Sequence, residues 1–125
     1  KYNGDGSFGW HTAVKGYFDE EFNAIEATDD GYVAVGSSCS SNRDLKAVGN
    51  RGGSDALVVT FSNGGSLKSI QSYGGSRDDS FGGVCVLSDG QIIACGSTYS
   101  DNGDLIGSKY LSSGSASMGM IARFK

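Results

Sequence analysis

One pattern, met twice, constrains this chain more than anything else in it. Tyr73-Gly74-Gly75-Ser76-Arg77-Asp78-Asp79-Ser80-Phe81 runs apolar residue, glycine, acidic pair, phenylalanine. Starting 59 residues earlier, Val14-Lys15-Gly16-Tyr17-Phe18-Asp19-Glu20-Glu21-Phe22 keeps that order. The segments after the two joints match as well. Asp30-Gly31 is matched by Asp89-Gly90, Tyr32-Val33-Ala34-Val35-Gly36 by Gln91-Ile92-Ile93-Ala94-Cys95-Gly96, and residues 55–61 by residues 118–124. Such a period means one supersecondary unit built twice, with neither unit able to bury its apolar face alone.

The second copy decides what the first is. Phe18, Phe22 and Ile25 stand at i, i+4 and i+7 and suit an amphipathic helix. The aligned segment carries Gly82-Gly83 among β-branched residues, and each glycine disfavours helix by about 1 kcal/mol. Residues 22–28 therefore read as a strand. Asp30-Gly31 and Asp89-Gly90 each mark a hairpin to a second strand, and the extra residue of the second copy is expected in a β-bulge. The polar loops 37–54 and 97–115 are too long for hairpin turns and are functional or mobile. They lead to third strands at 55–61 and 118–124, and Asn63-Gly64-Gly65 turns the former into a fourth strand, 66–73.

Arg123-Phe124-Lys125 aligns with Lys1-Tyr2-Asn3, so the second unit lacks a fourth strand, while residues 7–14 read as an orphan one. They are expected to complete the last sheet, in the same chain or in a neighbour, and so hide its edge. Apolar neighbours such as Leu57-Val58-Val59 and Ile92-Ile93-Ala94 call for burial on both faces of each sheet. The expectation is an all-β fold of β-propeller blades: two four-stranded antiparallel repeats of about 60 residues, the N-terminal strand completing the last blade. Within one module, 1–125, residues 1–20 form the closing strand, 21–79 the first full repeat and 80–125 strands one to three of the second. A β-sandwich or β-solenoid is the runner-up. Two blades do not close a ring of the usual four to eight, so the segment is expected to belong to a longer propeller or to a homo-oligomer of three or four copies.

Composition narrows the partners. A net charge of −4 with ten scattered Lys and Arg residues argues against nucleic acid. No apolar run approaches the ~20 residues of a membrane helix, so no membrane span is expected. With 21 glycines and no proline, the turns fall to Gly, Asn, Asp and Ser. The chain starts at Lys1 without a signal-like segment, which reads as a fragment or a mature product.

Candidate chemistry is sparse. His11 is the single histidine and has no motif around it; Gly-x-Ser-x-Gly is absent; Gly49-Asn50-Arg51-Gly52-Gly53 lacks the ending of a phosphate loop. Asp101, Asn102 and Asp104 offer oxygen ligands to calcium, with Asn42 and Asp44 at matching places, although turn capping is the simpler account. The acidic pairs Asp78-Asp79 and Glu20-Glu21 suggest paired carboxylates, but extended neighbours point to opposite faces, which favours a structural turn role. Cys85 and Cys95 lie symmetrically about Asp89-Gly90, placed either for a disulfide across the hairpin or as two small buried thiols. Cys39 has no cysteine partner in the other copy, and no Cys-x-x-Cys supports zinc. Tyr99 and Tyr110, in the long loop, are the best candidates for a sugar- or protein-binding platform.

Gly74-Gly75-Ser76-Arg77-Asp78-Asp79-Ser80-Phe81, Asp30-Gly31-Tyr32-Val33-Ala34-Val35-Gly36-Ser37 and Asp55-Ala56-Leu57-Val58-Val59-Thr60-Phe61 together resemble the repeat units of extracellular bacterial repeat proteins of the β-propeller type. The second unit departs from them with Met118-Gly119 in place of Asp55-Ala56, and the first joint with Lys15-Gly16 in place of Gly74-Gly75. The resemblance implies an extracellular or cell-surface, non-enzymatic module for assembly or recognition and carries no catalytic residue with it. A carbohydrate-binding, lectin-like module is the alternative, and an enzyme with an unrecognised loop site the third class.

Overall fold

The computed structural model describes residues 1–106 and 116–124. Among these residues seven strands form two antiparallel sheets. The first runs in chain order through β1 (Glu20–Thr28), β2 (Gly31–Ser38), β3 (Asp55–Ser62) and β4 (Leu67–Tyr73). The second contains β5 (Asp79–Val86), β6 (Ile92–Thr98) and β7 (Met118–Phe124). Two short 3₁₀ turns, Arg43–Leu45 and Gly103–Leu105, interrupt the long loops, and among the described residues no helix is long and apolar enough to cross a membrane.

The two sheets use the same local devices. A bulge lies between Phe22 and Ala24 of β1, and another between Phe81 and Gly83 of β5. Opposite the first stands Gly36 and opposite the second Gly96. A Cβ at either glycine would overlap the carbonyl oxygen of Glu21 or Ser80 across the pair. The extra residue of the second hairpin sits in its turn and not in a bulge. Thr28 pairs with Gly31 around Asp29-Asp30, whereas Leu87 N–H bonds to Gln91 O around Ser88-Asp89-Gly90, with Gly90 at φ 80°.

The sheets stack face to face. Val33, Val35, Ala56 and Val58 of the first meet Phe81, Ile92 and Ala94 of the second, with Tyr73, Met120 and Phe124 around them. The other face of the first sheet carries a second core of Ala34, Leu57, Val59 and Phe61, closed by Val14 and by Leu45 from the long loop. Burial on both faces thus holds for β2 and β3, but among the described residues only one face of the second sheet is packed: β7 alternates half-buried and exposed residues along its length.

Within a single chain the orphan segment does not complete the last sheet. Residues 7–14 form no strand and do not pair with β7, the last strand of its sheet. They cross the outer face of the first sheet: Trp10 packs on Gly65 and Tyr32, Trp10 Nε1 donates to Asn63 O at 3.1 Å, Thr12 Oγ1 donates to Gly65 O at 2.5 Å, and Val14 is buried. Contacts near the chain's own start draw the segment to this face in place of a long return to the second sheet.

Candidate functional site: the joints and the open sheet faces

The acidic pair at the second joint is divided between two tasks, as opposite-facing neighbours in an extended chain must be. Asp79 is fully buried; its Oδ2 accepts Gly75 N–H at 2.8 Å and Ser100 Oγ–H at 2.9 Å, and its Oδ1 accepts the Thr98 hydroxyl. Ser100 Oγ in turn accepts Arg77 N–H at 3.0 Å. Asp78 is exposed and accepts Ser54 N–H at 3.0 Å. The first joint carries much of the same network, with one methylene more on the acid and one methyl less on the alcohol. Glu20 accepts Gly16 N–H at 2.9 Å and Ser38 Oγ–H at 3.0 Å, and Ser40 Oγ accepts Phe18 N–H at 2.9 Å. Asp79 and Glu20 thus each hold a backbone crossover in shape.

The proposed calcium ligands belong to the same construction. Asp104 Oδ2 accepts Gly74 N–H at 3.1 Å and pairs with Arg51 Nη2 at 3.1 Å. Asn102 Oδ1 accepts Ser76 N–H at 2.8 Å and its Nδ2 donates to Ser76 Oγ at 3.0 Å; Asp101 is exposed. Asp44 repeats the part of Asp104 at the first joint, accepting Lys15 N–H at 2.9 Å. Among the described residues no group of three or more His, Cys, Asp or Glu is arranged to hold a metal ion.

Arg51 and Asp55 are the site residues that the sequence pattern alone did not single out. Arg51 Nη1 donates to Asp55 Oδ2 at 2.8 Å and to Ser72 Oγ at 2.9 Å, and its Nη2 pairs with Asp104, so one guanidinium ties the first sheet to the loop of the second. The Asp55 side chain is buried and its Oδ1 has no hydrogen-bond partner among the described residues. Burial pushes its carboxyl above the ordinary value of 3.8, opposed by the hydrogen bonds and charge of Arg51 and assisted by nearby Asp79. Gly74 separates the two acids: a Cβ there would lie 2.6 Å from Asp79 Oδ2 and 3.0 Å from Asp55 Oδ1. Asp55 heads the resembled Asp-Ala-x-Val unit, the one signal that could have drawn attention to it.

The remaining candidates are not brought together. Tyr99 is partly exposed in its loop and Tyr110 lies outside the described residues. His11 is exposed beside the Phe8 ring, with centroids 5.9 Å apart. Cys39, Cys85 and Cys95 are free and exposed. The expected facing of Cys85 and Cys95 fails because the three-residue turn centres the hairpin on Asp89. Cys85 stands opposite Ile93, and Cys95 opposite Gly83, so the two thiols are diagonal neighbours on the outer face.

That outer face is the most unusual surface of the molecule. Registers make Cys95 the counterpart of Val35 and Ile121 the counterpart of Val58. In the first sheet these positions are covered by the second: Val35 is 0% and Val58 2% exposed. In the second sheet Ile121 is 75% exposed and Cys95 is exposed. At the other end of the stack, Phe22 and Ile25 match Phe81 and Val84. Phe81 is sealed by the first sheet, yet Phe22 is 43% and Ile25 63% exposed, beside a concavity of about 270 Å³ lined by Trp10, Thr12 and Ala34. Comparison with protein-family models, with curated proteins and with solved structures finds no match for this chain.

Proposed function

We propose that the chain is a non-enzymatic, extracellular repeat module of the β-propeller type that works by stacking sheets, assembling with copies of itself or with neighbouring sheets of the same kind. The observation that carries the proposal is the exposed apolar surface at each end of the two-sheet stack, Ile121 with Cys95 on the second sheet and Phe22 with Ile25 on β1 of the first, at positions whose counterparts are buried inside it. A monomeric protein rarely leaves contiguous apolar surface uncovered on two sides, and such patches mark interaction sites. The commitment of the carboxylates of Asp79, Glu20 and Asp104 to backbone N–H groups supports a structural reading over an enzymatic one. The extracellular assignment rests on the likeness of residues 74–81, 30–37 and 55–61 to extracellular bacterial repeats.

Sedimentation equilibrium tests the proposal. The expected result is a mass several times that of one chain, falling towards one chain on dilution. A compact monomer at every concentration, with its fold intact, overturns it.

A further inference from the structure

Residues 1–14 hold the shape of a hairpin end, the first arm of which is only two residues long among the described residues. The β3–β4 turn is defined by pairing of Phe61 with Leu67, by Ser62 N–H to Ser66 O at 2.8 Å, by Gly65 N–H to Ser62 O at 2.9 Å, and by Gly65 at φ 84°. At the N-terminus, Tyr2 bridges Phe8, Asn3 N–H bonds to Ser7 O at 2.8 Å, Gly6 N–H bonds to Asn3 O at 2.9 Å, and Gly6 has φ 83°. The likeness continues along the chain. Tyr73 of β4 packs across the stack on Phe81 and Phe124, and its counterpart Val14 packs on Leu57, Val59 and Phe61. Asp104 N–H bonds to Gly74 O, and Asp44 N–H to Lys15 O. Residues 10–14 therefore sit on the first sheet where β4 sits on the second, and among the described residues no strand pairs with them.

The second sheet has three strands, and among the described residues the outer edge of β7 is unpaired. We infer that β7 of one copy pairs antiparallel with residues 10–14 of a second copy, so that the two chains together build a four-stranded sheet on the outer face of the first sheet of the receiving copy. This rests on the assembly reading above and specifies its geometry. Transferring the β3–β4 register, in which Ala56 pairs with Tyr73 and Val58 with Gln71, sets Gly119 opposite Val14, Met120 opposite Ala13, Ile121 opposite Thr12 and Ala122 opposite His11. The pairing ends there, because Lys1 already takes the next position: its amino group donates to Trp10 O at 2.7 Å. Ile121, Ile93 and Cys95 then cover Phe22 and Ile25 as Val58, Val33 and Val35 cover Phe81 and Val84. The occupant is a second copy because the contact continues an interface already present inside the chain, and the paired segments belong to no other described surface. Unlike patches meet, so the interface is heterologous and closes into a ring of identical copies when the rotation per chain permits.

Cross-linking tests the register. In a background with Cys39, Cys85 and Cys95 changed to alanine, Thr12→Cys with Ile121→Cys is expected to give covalent dimers and a ladder above them on mild oxidation. Ala13→Cys with Ile121→Cys places the thiols on opposite faces and is expected to give at least tenfold less. Ile121→Lys is expected to reduce the sedimenting species to single chains with an unchanged far-UV spectrum. If oligomers persist in Ile121→Lys, or form without the Thr12–Ile121 cross-link, assembly stands and this pairing is overturned. If the unmodified chain is a monomer, the assembly reading itself falls. Should Ile121→Lys lose its fold, the cross-linking comparison alone decides.

Discussion

At the scale of residues, the two joints place nearly the same bonds in different surroundings. Asp79 is fully buried and gathers three donors, Gly75 N–H and the hydroxyls of Thr98 and Ser100. Glu20 is only half-buried and accepts from Gly16 N–H and Ser38. Removing a buried acceptor leaves its donors stranded at roughly 1–3 kcal/mol each, whereas water can replace a partly exposed one. Asp79→Ala is therefore expected to lower the unfolding free energy by about 3 kcal/mol or more, and Glu20→Ala by about 1 kcal/mol. Urea denaturation of both variants measures the difference. Equal losses would show that burial does not govern the strength of the joint.

At the scale of elements, each sheet depends on a glycine facing a bulge. A Cβ at Gly96 would run into Ser80 O, a backbone atom that cannot move without shifting β5. Gly96→Ala is expected to cost about 3 kcal/mol, the upper range for overpacking a tight site. At the bulge itself, Gly82 has open space around its Cβ position and Asn23 is its counterpart in the first sheet, so Gly82→Ala is expected within about 0.5 kcal/mol of the parent. Thermal unfolding of the two variants settles the point, and a Gly96→Ala protein as stable as the parent would sink it. The strands were legible because Gly36 and Gly96 end apolar runs at matched places, and because Gly82-Gly83 ruled out the helix that Phe18, Phe22 and Ile25 suggested. The turn was not: Asp89-Gly90 looks like a two-residue hairpin, and only the Leu87–Gln91 bond shows the three-residue loop that sets Cys85 and Cys95 diagonally. Nor was the place of residues 7–14 readable, since strand composition does not say which sheet a segment meets. Arg51 was hidden for a similar reason, since besides nearby Asp55 its partners Ser72 and Asp104 lie far along the chain.

At the scale of the whole molecule, the cysteines report whether the second sheet is covered. Cys95 lies on the outer face beside Ile121, in the patch that stacking of another copy would close. Cys39 lies elsewhere, in the acidic recess with Asp19, Glu20 and Asp78. Desolvation in the recess and then those carboxylates push its thiol above the ordinary value of 9.0, so it is expected to alkylate slowly, and it lies away from the outer face of the second sheet. The ratio of Cys95 to Cys39 modification is thus an internal measure that cancels reagent strength and time. It is expected to be high in the dilute single chain and to fall at least tenfold in the assembled protein, as peptide mapping after a short iodoacetamide pulse would show. A ratio that ignores concentration while the mass rises would place the contact on a different surface. A ratio that falls in step with the mass would tie assembly to the outer face of the second sheet, which the fold of a single chain leaves uncovered.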